Sequence, residues 1–251
     1  MHKEDIEKLK AENELLKKAN ENKSDIISIT AHQLRTSLSA LKWILKMFSD
    51  EDVGKLTNEQ KELIKKAYTS NERMLTLIND LLTLNHTGDM SIKYNFKDTD
   101  ILNLIEQTLF EFYGETNKKG IELIFLKPES TIPKVNCDEE MIRVVIQNLI
   151  ENSIKYSNTN GKVFVSLKQK DNDALISVYN TGIGIKEKDK ENIFTKFFRA
   201  PNAIEKDPVG SGLGLFTTKN IVEKHHGKIW FESNDNGEIT FFVTLPISQA
   251  I

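Results

Sequence analysis

The sequence predicts an α+β protein, in which an antiparallel helical hairpin is followed by a two-layer α/β sandwich. Between Ile27 and Leu81 apolar residues recur at alternating spacings of three and four, which indicates long amphipathic helices. After Ser91 short apolar runs alternate with helical patterns, which is typical of a sheet covered by helices. With 251 residues the chain is long enough for two cores. We therefore expect a leading helix over 1–22, the hairpin over 23–88 and the sandwich over 92–248.

The composition argues against several classes of protein. A net charge of −3 with 28% charged residues disfavours binding to nucleic acid through phosphate contacts. The single cysteine, Cys137, cannot form an internal disulfide, and no Cys/His spacing of the metal-binding kind is present. No apolar run approaches the roughly 18 residues that span a bilayer, and the N-terminus lacks the apolar core of a signal peptide. We expect a soluble, cytoplasmic protein.

The first residues favour a two-stranded coiled coil over a solvated single helix, because they follow an a/d alternation with polar Asn at a positions. These positions are Ile6, Leu9, Asn13, Leu16 and Asn20. Continued through Lys23 to Ile27 and Ala31, the register takes two successive steps of four, a stutter that locally unwinds a supercoil just before His32. We hypothesise that an upstream signal acts on His32 through this shift in the heptad phase of the helix.

The hairpin is predicted from two apolar seams and a capping signal between them. The first seam comprises Ile27, Ala31, Leu34, Leu38, Leu41, Leu45 and Phe48, and its helix should end near Ser49. Thr57-Asn58-Glu59-Gln60 is a capping box that opens the second helix, with its seam at Ile64, Ala67, Asn71, Met74, Ile78 and Leu81. One hairpin leaves much of these seams exposed, so we expect two to pair as a dimeric four-helix bundle. Asn85 to Ser91 should be the domain boundary.

The sandwich is predicted from strand and helix patterns in alternation. Asp100 and Asp138 are good N-caps, each opening a helix. A third helix should run from Leu213 to Lys224. The predicted strands are Tyr94–Lys97, Ile121–Leu126, Val163–Leu167, Leu175–Val178, Ile229–Glu232 and Thr240–Leu245, with a hairpin joining the third and fourth.

Four stretches carry residues suited to chemistry. His32 shares an exposed helix face with Arg35, Thr36 and Ser39. Asn148, Asn152 and Lys155 share a face of a later helix, where amide oxygens suit Mg²⁺ and an ammonium can neutralise phosphate. The glycine-rich stretch 180–185 follows a strand and the stretch 210–215 precedes a helix, so both allow close approach of a ligand to the backbone. Neither is a Walker motif or a dinucleotide fingerprint.

These stretches, in this order, resemble the motifs of two-component sensor histidine kinases. The run His32-Gln33-Leu34-Arg35-Thr36-Ser37 resembles the phosphoacceptor box, whose common form is His-Glu-Leu-Arg-Thr-Pro. Residues 148–156 resemble the N box, residues 180–185 and 210–215 the two glycine boxes, and residues 193–199 the F box. The resemblance implies a dimeric phosphoacceptor bundle followed by an ATP-binding sandwich of the type shared with DNA gyrase. It also implies ATP and Mg²⁺ as ligands.

The resemblance further implies a role for each matching position. His32 would attack the γ-phosphate, Asn152 would coordinate Mg²⁺ with support from Asn148, and Lys155 would contact phosphate. The Asn180 position would read the adenine amino group. The remaining positions expected to contact nucleotide are Tyr156, Gly182, Gly184, Arg199, Gly210, Gly212, Leu213 and Gly214, and the segment from about Arg199 to Gly210 would be a mobile lid.

Three residues depart from the family's motifs. Gln33 replaces the acidic residue after the histidine; it cannot act as a general base, although its amide can orient the imidazole. Thr36, which matches the motif, stands where the family often positions water for dephosphorylating its partner, which implies phosphatase activity as well. Ser37 replaces proline and removes the usual bend. Asn180 replaces aspartate and can still accept from adenine through its oxygen, with lower expected affinity.

The sequence therefore predicts a sensor histidine kinase that phosphorylates His32 and passes the phosphoryl group to an aspartate on the receiver domain of a response regulator. We expect a homodimer, with no nucleic acid and with membrane attachment only through a sensing region ahead of this chain. One alternative is a degenerate kinase acting as a dimeric phosphotransfer or scaffold module with weak ATP turnover. A third interpretation, an ATPase switch of the gyrase or chaperone kind, is disfavoured by the helical histidine box.

Overall fold

The computed structural model of the chain describes residues 2–88, 94–234 and 236–247. Side chains are described for only part of the first helix before Ile29, and not for residues 79–88. The fold has two compact units: a helical unit that precedes Tyr94, and an α/β unit that covers Tyr94–Pro208 and resumes at Gly212. In the part of the chain described, no helix combines the length and apolar character needed to cross a membrane.

The helical unit is a hairpin of α1 (His2–Ser49) and α2 (Asn58–Gly88). The predicted end of the first helix and the capping box are both confirmed. The Thr57 N–H donates to Gln60 Oε1 at 2.9 Å, and the Gln60 N–H donates to Thr57 Oγ1 at 3.2 Å. The coiled-coil side chains Ile6, Leu9, Leu16 and Asn20 lie outside the described residues, so the coiled coil stays a prediction.

The first seam is split between the hairpin interior and its surface. Ala31 and Leu45 are buried, whereas Leu34, Leu41 and Phe48 are 49%, 41% and 36% exposed. These three are spaced by sevens, so they line one side of α1. The hairpin thus buries only half of its apolar stripe.

The elements of the α/β unit are β1 (Lys97–Thr99), α3 (Ile101–Lys119), β2 (Glu122–Leu126), β3 (Val135–Cys137), α4 (Glu139–Tyr156), β4 (Lys162–Lys170), β5 (Asp173–Thr181), α5 (Pro201–Lys206), α6 (Gly214–Lys224), β6 (Lys228–Ser233) and β7 (Glu238–Pro246). The unit is built on a five-stranded mixed sheet with the order β2-β4-β5-β7-β6. Strand β2 is parallel to β4, and the other pairs in this sheet are antiparallel. Strands β1 and β3 form a separate antiparallel pair.

Three helices pack against the sheet and form the core with it. Helix α3 contacts β2, α4 contacts β4 and β5, and α6 contacts β6 and β7. Asp100 and Asp138 cap α3 and α4 as predicted, because their carboxylates accept from the N–H groups of Asn103 and Met141. Alternate residues of β5, among them Ala174, Ile176 and Val178, point into this core. The predicted two-layer α/β architecture is confirmed.

Three short elements differ from the sequence prediction. The strand predicted over Tyr94–Lys97 is wrong, because β1 begins only at Lys97. The rings of Tyr94 and Phe96 instead pack on His225, with centroids 5.4 and 5.0 Å away. Strand β3 and helix α5 were not predicted, since three residues of strand or six of helix are too short to show a period.

Candidate functional site

The polar face of α4 meets the first turn of α6. Asn148 Nδ2 donates to the Gly214 carbonyl and to Thr218 Oγ1, both at 3.4 Å. A β-carbon added at Gly214 would lie 3.8 Å from Asn148 Oδ1 and 4.0 Å from Asn152 Nδ2. The two asparagine amides therefore sit beside the start of α6, where backbone N–H groups have no helical partner and attract anions.

The end of α4 is tied to the end of β5 through a glycine. Ser157 and Gly182 form an antiparallel bridge, and the Ile183 N–H donates to the Tyr156 carbonyl at 3.3 Å. A β-carbon at Gly182 would lie 2.1 Å from that carbonyl oxygen, so no larger residue fits without moving the backbone. Gly184 adopts a positive φ of 61°, which glycine favours.

Asn180 lies near the end of β5, two residues before Gly182, and is 2% exposed. Its Nδ2 finds no hydrogen-bond partner among the described residues. A β-carbon at Gly182 would stand 2.9 Å from this nitrogen, so the amide packs directly against the glycine. Because an unpaired buried polar group usually costs about 1–3 kcal/mol, such an atom marks a place where a ligand or water can bind.

The segment between β5 and α6 is organised by Arg199 and Asn202. The Arg199 guanidinium donates to carbonyls at the end of α5, including those of Ala203 at 3.1 Å and Pro208 at 3.3 Å. Asn202 Nδ2 donates to the carbonyls of Ile183 and Gly184, at 3.2 and 3.4 Å. The segment predicted as a lid thus contains a short helix that is fastened to the glycine turn after β5.

Lys155 also contacts this segment. Its ammonium forms an ion pair with the Asp207 carboxylate just after α5, and its Nζ lies 5.5 Å from the centroid of the Tyr156 ring. The two charged side chains are 30% and 24% exposed. An anionic ligand that reaches Lys155 would therefore compete with Asp207.

His32 is exposed on α1, in the helical unit. The Thr36 hydroxyl donates to the His32 carbonyl at 3.0 Å, and the Ser37 hydroxyl donates to the Gln33 carbonyl at 3.1 Å. Back-bonding of this kind satisfies the hydroxyls locally and slightly weakens the helix. The Thr36 oxygen keeps lone pairs that can accept from water.

The structure brings together only some of the residues singled out from the sequence. Asn148, Asn152 and Gly214 meet at one junction, while Tyr156, Asn180, Gly182 and Gly184 meet at the neighbouring one. Gly212 has a φ of 75°, and its carbonyl accepts from the Phe197 N–H at 3.0 Å. Leu213 is buried and Gly210 is half-buried in the segment before α6. His32, Gln33 and Thr36 belong to the other unit.

The sequence reasoning missed three residues of this region: Thr218, Asn202 and Asp207. Thr218 lies four residues after Gly214 on one helix face, so the spacing could have indicated it. Nothing local distinguishes Asn202 or Asp207, because their partners are far away in sequence.

The donor set restricts which metal fits. Among the residues that the structure describes, no three His, Cys, Asp or Glu side chains cluster in a way that could hold a metal ion. A cation at the Asn148–Asn152 junction would have amide oxygens as its protein ligands. That set fits Mg²⁺, which keeps waters and shares substrate phosphates.

Comparison with known proteins identifies both units. A family model described as the His Kinase A (phospho-acceptor) domain matches residues 22–88. A second, described as the Histidine kinase-, DNA gyrase B-, and HSP90-like ATPase, matches residues 137–249. The chain belongs to the two-component sensor histidine kinases. It carries their phosphoacceptor domain followed by their ATPase domain. Members of this family are protein histidine kinases.

Individual members of this family of sensor histidine kinases align along most of the chain. Drug sensory protein A of Synechocystis sp. is 33% identical over 245 residues, which are 92% of this chain and 36% of that protein. The fold resembles full-length ShkA in complex with AMPPNP, with a TM-score of 0.68 and 24% identity over 90% of this chain and 46% of that one. It also resembles ThkA in complex with response regulator protein TrrA, with a TM-score of 0.63 and 24% identity over 89% of this chain and 61% of that one. The chain spans between 30% and 64% of the length of the curated relatives that it matches.

Proposed function

We propose that this chain is the cytoplasmic catalytic portion of a sensor histidine kinase. It uses ATP and Mg²⁺ to phosphorylate His32 and then passes the phosphoryl group to an aspartate of a response-regulator receiver domain. Residues 1–22 act as the signalling helix, 23–88 as the dimerisation and phosphotransfer hairpin, and 92–248 as the ATP-binding domain. The observation that carries the proposal is the approach of the Asn148 and Asn152 amides to Gly214 at the start of α6.

The nucleotide site is assigned to the two junctions along the second half of α4. The N–H groups at the start of α6 and the glycines of residues 210–214 receive the phosphates, and Lys155 adds a positive charge. Asn152, supported by Asn148, would hold Mg²⁺, which when bound supplies neutralisation of the phosphate charge. The base lies over Gly182 and Gly184 beside Asn180, near Tyr156, and the segment from Arg199 to Gly210 closes over the nucleotide.

His32 is assigned as the nucleophile. A nitrogen of the neutral imidazole forms a bond to the γ-phosphorus as the bond from that phosphorus to the bridging oxygen of ADP breaks. Gln33 orients the ring through its amide, and the proton that the phosphorylated imidazolium must lose passes to water. Thr36, whose oxygen retains lone pairs, positions water when the kinase dephosphorylates its partner.

The dimer is supported by the unburied half of the first seam. Leu34, Leu41 and Phe48 form a stripe on one side of α1, and Ile44, 45% exposed, widens it. Exposed apolar stripes on a hairpin are normally covered by another helix pair. A second copy of the same hairpin supplies one and completes a four-helix bundle.

The experiment that tests the proposal is incubation of the full chain with γ-labelled ATP and Mg²⁺. Wild type should acquire label that is lost in acid and kept in alkali, because a phosphoramidate bond behaves in this way. His32→Ala should acquire none, whereas His226→Asn, a change at an exposed histidine of the α/β unit, should label like wild type. Label that persists in His32→Ala contradicts the assignment of the nucleophile.

Gln33 gives one specific reason to keep a second candidate, a dimeric scaffold that binds nucleotide without effective transfer. General bases of this kind typically contribute about 10²–10⁴-fold to rate, and an amide cannot supply that contribution. Nucleotide binding without label in the same experiment favours the scaffold. Restored labelling in Gln33→Glu then identifies the missing base as the cause.

A further inference from the structure

The side-chain nitrogen of Asn180 is one of several buried polar atoms of the α/β unit that lack a hydrogen-bond partner among the described residues. The residue is 2% exposed, and its Nδ2, which packs against Gly182, has no partner among the described residues. A buried donor of this kind needs an acceptor from whatever occupies the site. A carboxylate at the same position, the residue type usual in the family, carries no donor at all.

A second buried polar atom belongs to the same junction. Ser153 is 1% exposed and its hydroxyl also lacks a partner among the residues described. Ser153 lies one helical turn before Ser157, which donates to the Ser153 carbonyl at 2.6 Å and bridges to Gly182. Two buried groups that can donate, the Asn180 amide and the Ser153 hydroxyl, therefore lack partners in α4 and β5 among the residues described.

The chemistry of an amide differs from that of a carboxylate when it meets a purine edge. Adenine presents an amino donor at position 6 beside an acceptor at N1, whereas a 6-oxopurine presents an acceptor at position 6 beside a donor at N1. A carboxylate only accepts, so it suits adenine and repels the oxygen of a 6-oxopurine. An amide presents one donor and one acceptor, and by turning over it can match either edge with two hydrogen bonds.

We propose that Asn180 makes the nucleotide site bispecific, so that 6-oxopurine nucleoside triphosphates serve as phosphoryl donors alongside ATP. This inference rests on the proposed function, since it takes the base to lie beside Asn180. With either base Nδ2 gains an acceptor, N1 of adenine or O6 of the 6-oxopurine, and Oδ1 accepts from the neighbouring N–H. The buried amide is thus paired whichever base is bound.

The test compares ATP with inosine triphosphate, which differs from ATP in the base only at position 6 and N1. Initial rates of His32 labelling by the two γ-labelled nucleotides are measured on the full chain, for wild type and for Asn180→Asp. Wild type should use both with kcat/KM values within about tenfold of each other, whereas Asn180→Asp should shift the ratio toward ATP by about tenfold or more. Asn158→Asp makes the same chemical change at an exposed residue nearby and should keep the wild-type ratio.

The outcomes distinguish failure of this inference from failure of the proposed function. Label from ATP and none from inosine triphosphate overturns the inference and leaves the kinase assignment intact. If neither nucleotide labels the protein, displacement of a fluorescent ATP analogue by ADP and by inosine diphosphate reads base preference without transfer: similar affinities support bispecific recognition, and ADP alone displacing the analogue overturns it. Failure of both diphosphates to bind overturns the inference and the nucleotide site together. If Asn180→Asp does not fold, the wild-type ratio alone decides.

Discussion

The ammonium of Lys155, a predicted phosphate contact, already forms an ion pair with the Asp207 carboxylate. Their ion pair joins the last turn of α4 to the residue after α5. A phosphate group would have to replace the Asp207 carboxylate at the same ammonium. The ion pair therefore competes with phosphate for Lys155, but it also holds the segment after α5 against α4.

Asp207→Asn should raise the affinity for ATP by about two- to five-fold, the range expected when a partly exposed ion pair no longer competes. Equilibrium binding of a non-hydrolysable ATP analogue measures this effect. Glu205→Gln removes a carboxylate from the exposed face of α5 and should leave affinity unchanged. Weaker binding in Asp207→Asn means that holding the segment in place matters more than the competition.

His225 is a buried histidine whose two ring nitrogens are both engaged. Its Nε2 accepts from the Asp138 N–H at 3.0 Å, and its Nδ1 lies 2.7 Å from the Ile221 carbonyl. Burial lowers the pKa of the imidazole below its usual value of 6.5. The groups that face it are the Tyr94 phenol, the Asp138 carboxylate and His226. The ring is needed in its neutral form, because protonation would remove the acceptor at Nε2.

Stability should therefore fall as the pH falls below 6.5. In that window the unfolded chain binds a proton that the folded chain does not, so the free energy of unfolding decreases until the pH drops below the folded-state pKa. Urea unfolding from about pH 7.5 to about pH 5.5 measures the slope. His225→Gln should flatten it, and His226→Asn should retain it. An unchanged slope in His225→Gln assigns the effect to other groups.

Helix ends are the elements that the sequence predicted best. The cap Thr57 was predicted from the box that it forms with Gln60, and the caps Asp100 and Asp138 from the helical pattern that follows each; all three make the expected hydrogen bond. Caps are local, so the sequence contains nearly all of the relevant information. Elements of three to six residues, such as β3 and α5, depend on distant partners and carry no such signal.

Thr57→Ala should lower the free energy of unfolding of the helical unit by about 1 kcal/mol, because it exposes an N–H of the first turn of α2 without a partner. Urea unfolding followed by far-ultraviolet circular dichroism measures the loss. Thr57→Ser keeps the hydroxyl and should retain most of the stability. Equal losses in both variants would point to the threonine methyl group in place of the cap.

Local spacing predicted only those parts of the candidate site that lie on one helix. That Asn148 and Asn152 share a face follows from their separation of four residues. Their approach to Gly214, and the closeness of Asn180 to Gly182 and Tyr156, depend on how α6 and β5 pack against α4. No local pattern encodes this packing, and the family resemblance alone pointed to it.

At the scale of the whole molecule, the proposed dimer depends on the apolar stripe on α1. Leu41→Glu combined with Ile44→Glu places two charges on that stripe and should convert a dimer into a monomer, because a buried unpaired carboxylate is costly. Multi-angle light scattering measures the mass. Trp43→Glu changes a 64% exposed residue on the His32 side of the same helix and should leave the dimer intact. A dimer that survives the double change has its interface elsewhere.

Helix α1 runs without interruption from His2 to Ser49, so His32 stands on a continuous rod about 70 Å long. Such a rod conveys direction as well as position, since each residue added ahead of His32 turns its imidazole by about 100° around the axis. Seven added residues return it to within about 20° of its starting direction. Under the proposed function, an upstream signal can therefore act on His32 through this angle, and a join that is one residue out of phase would change it.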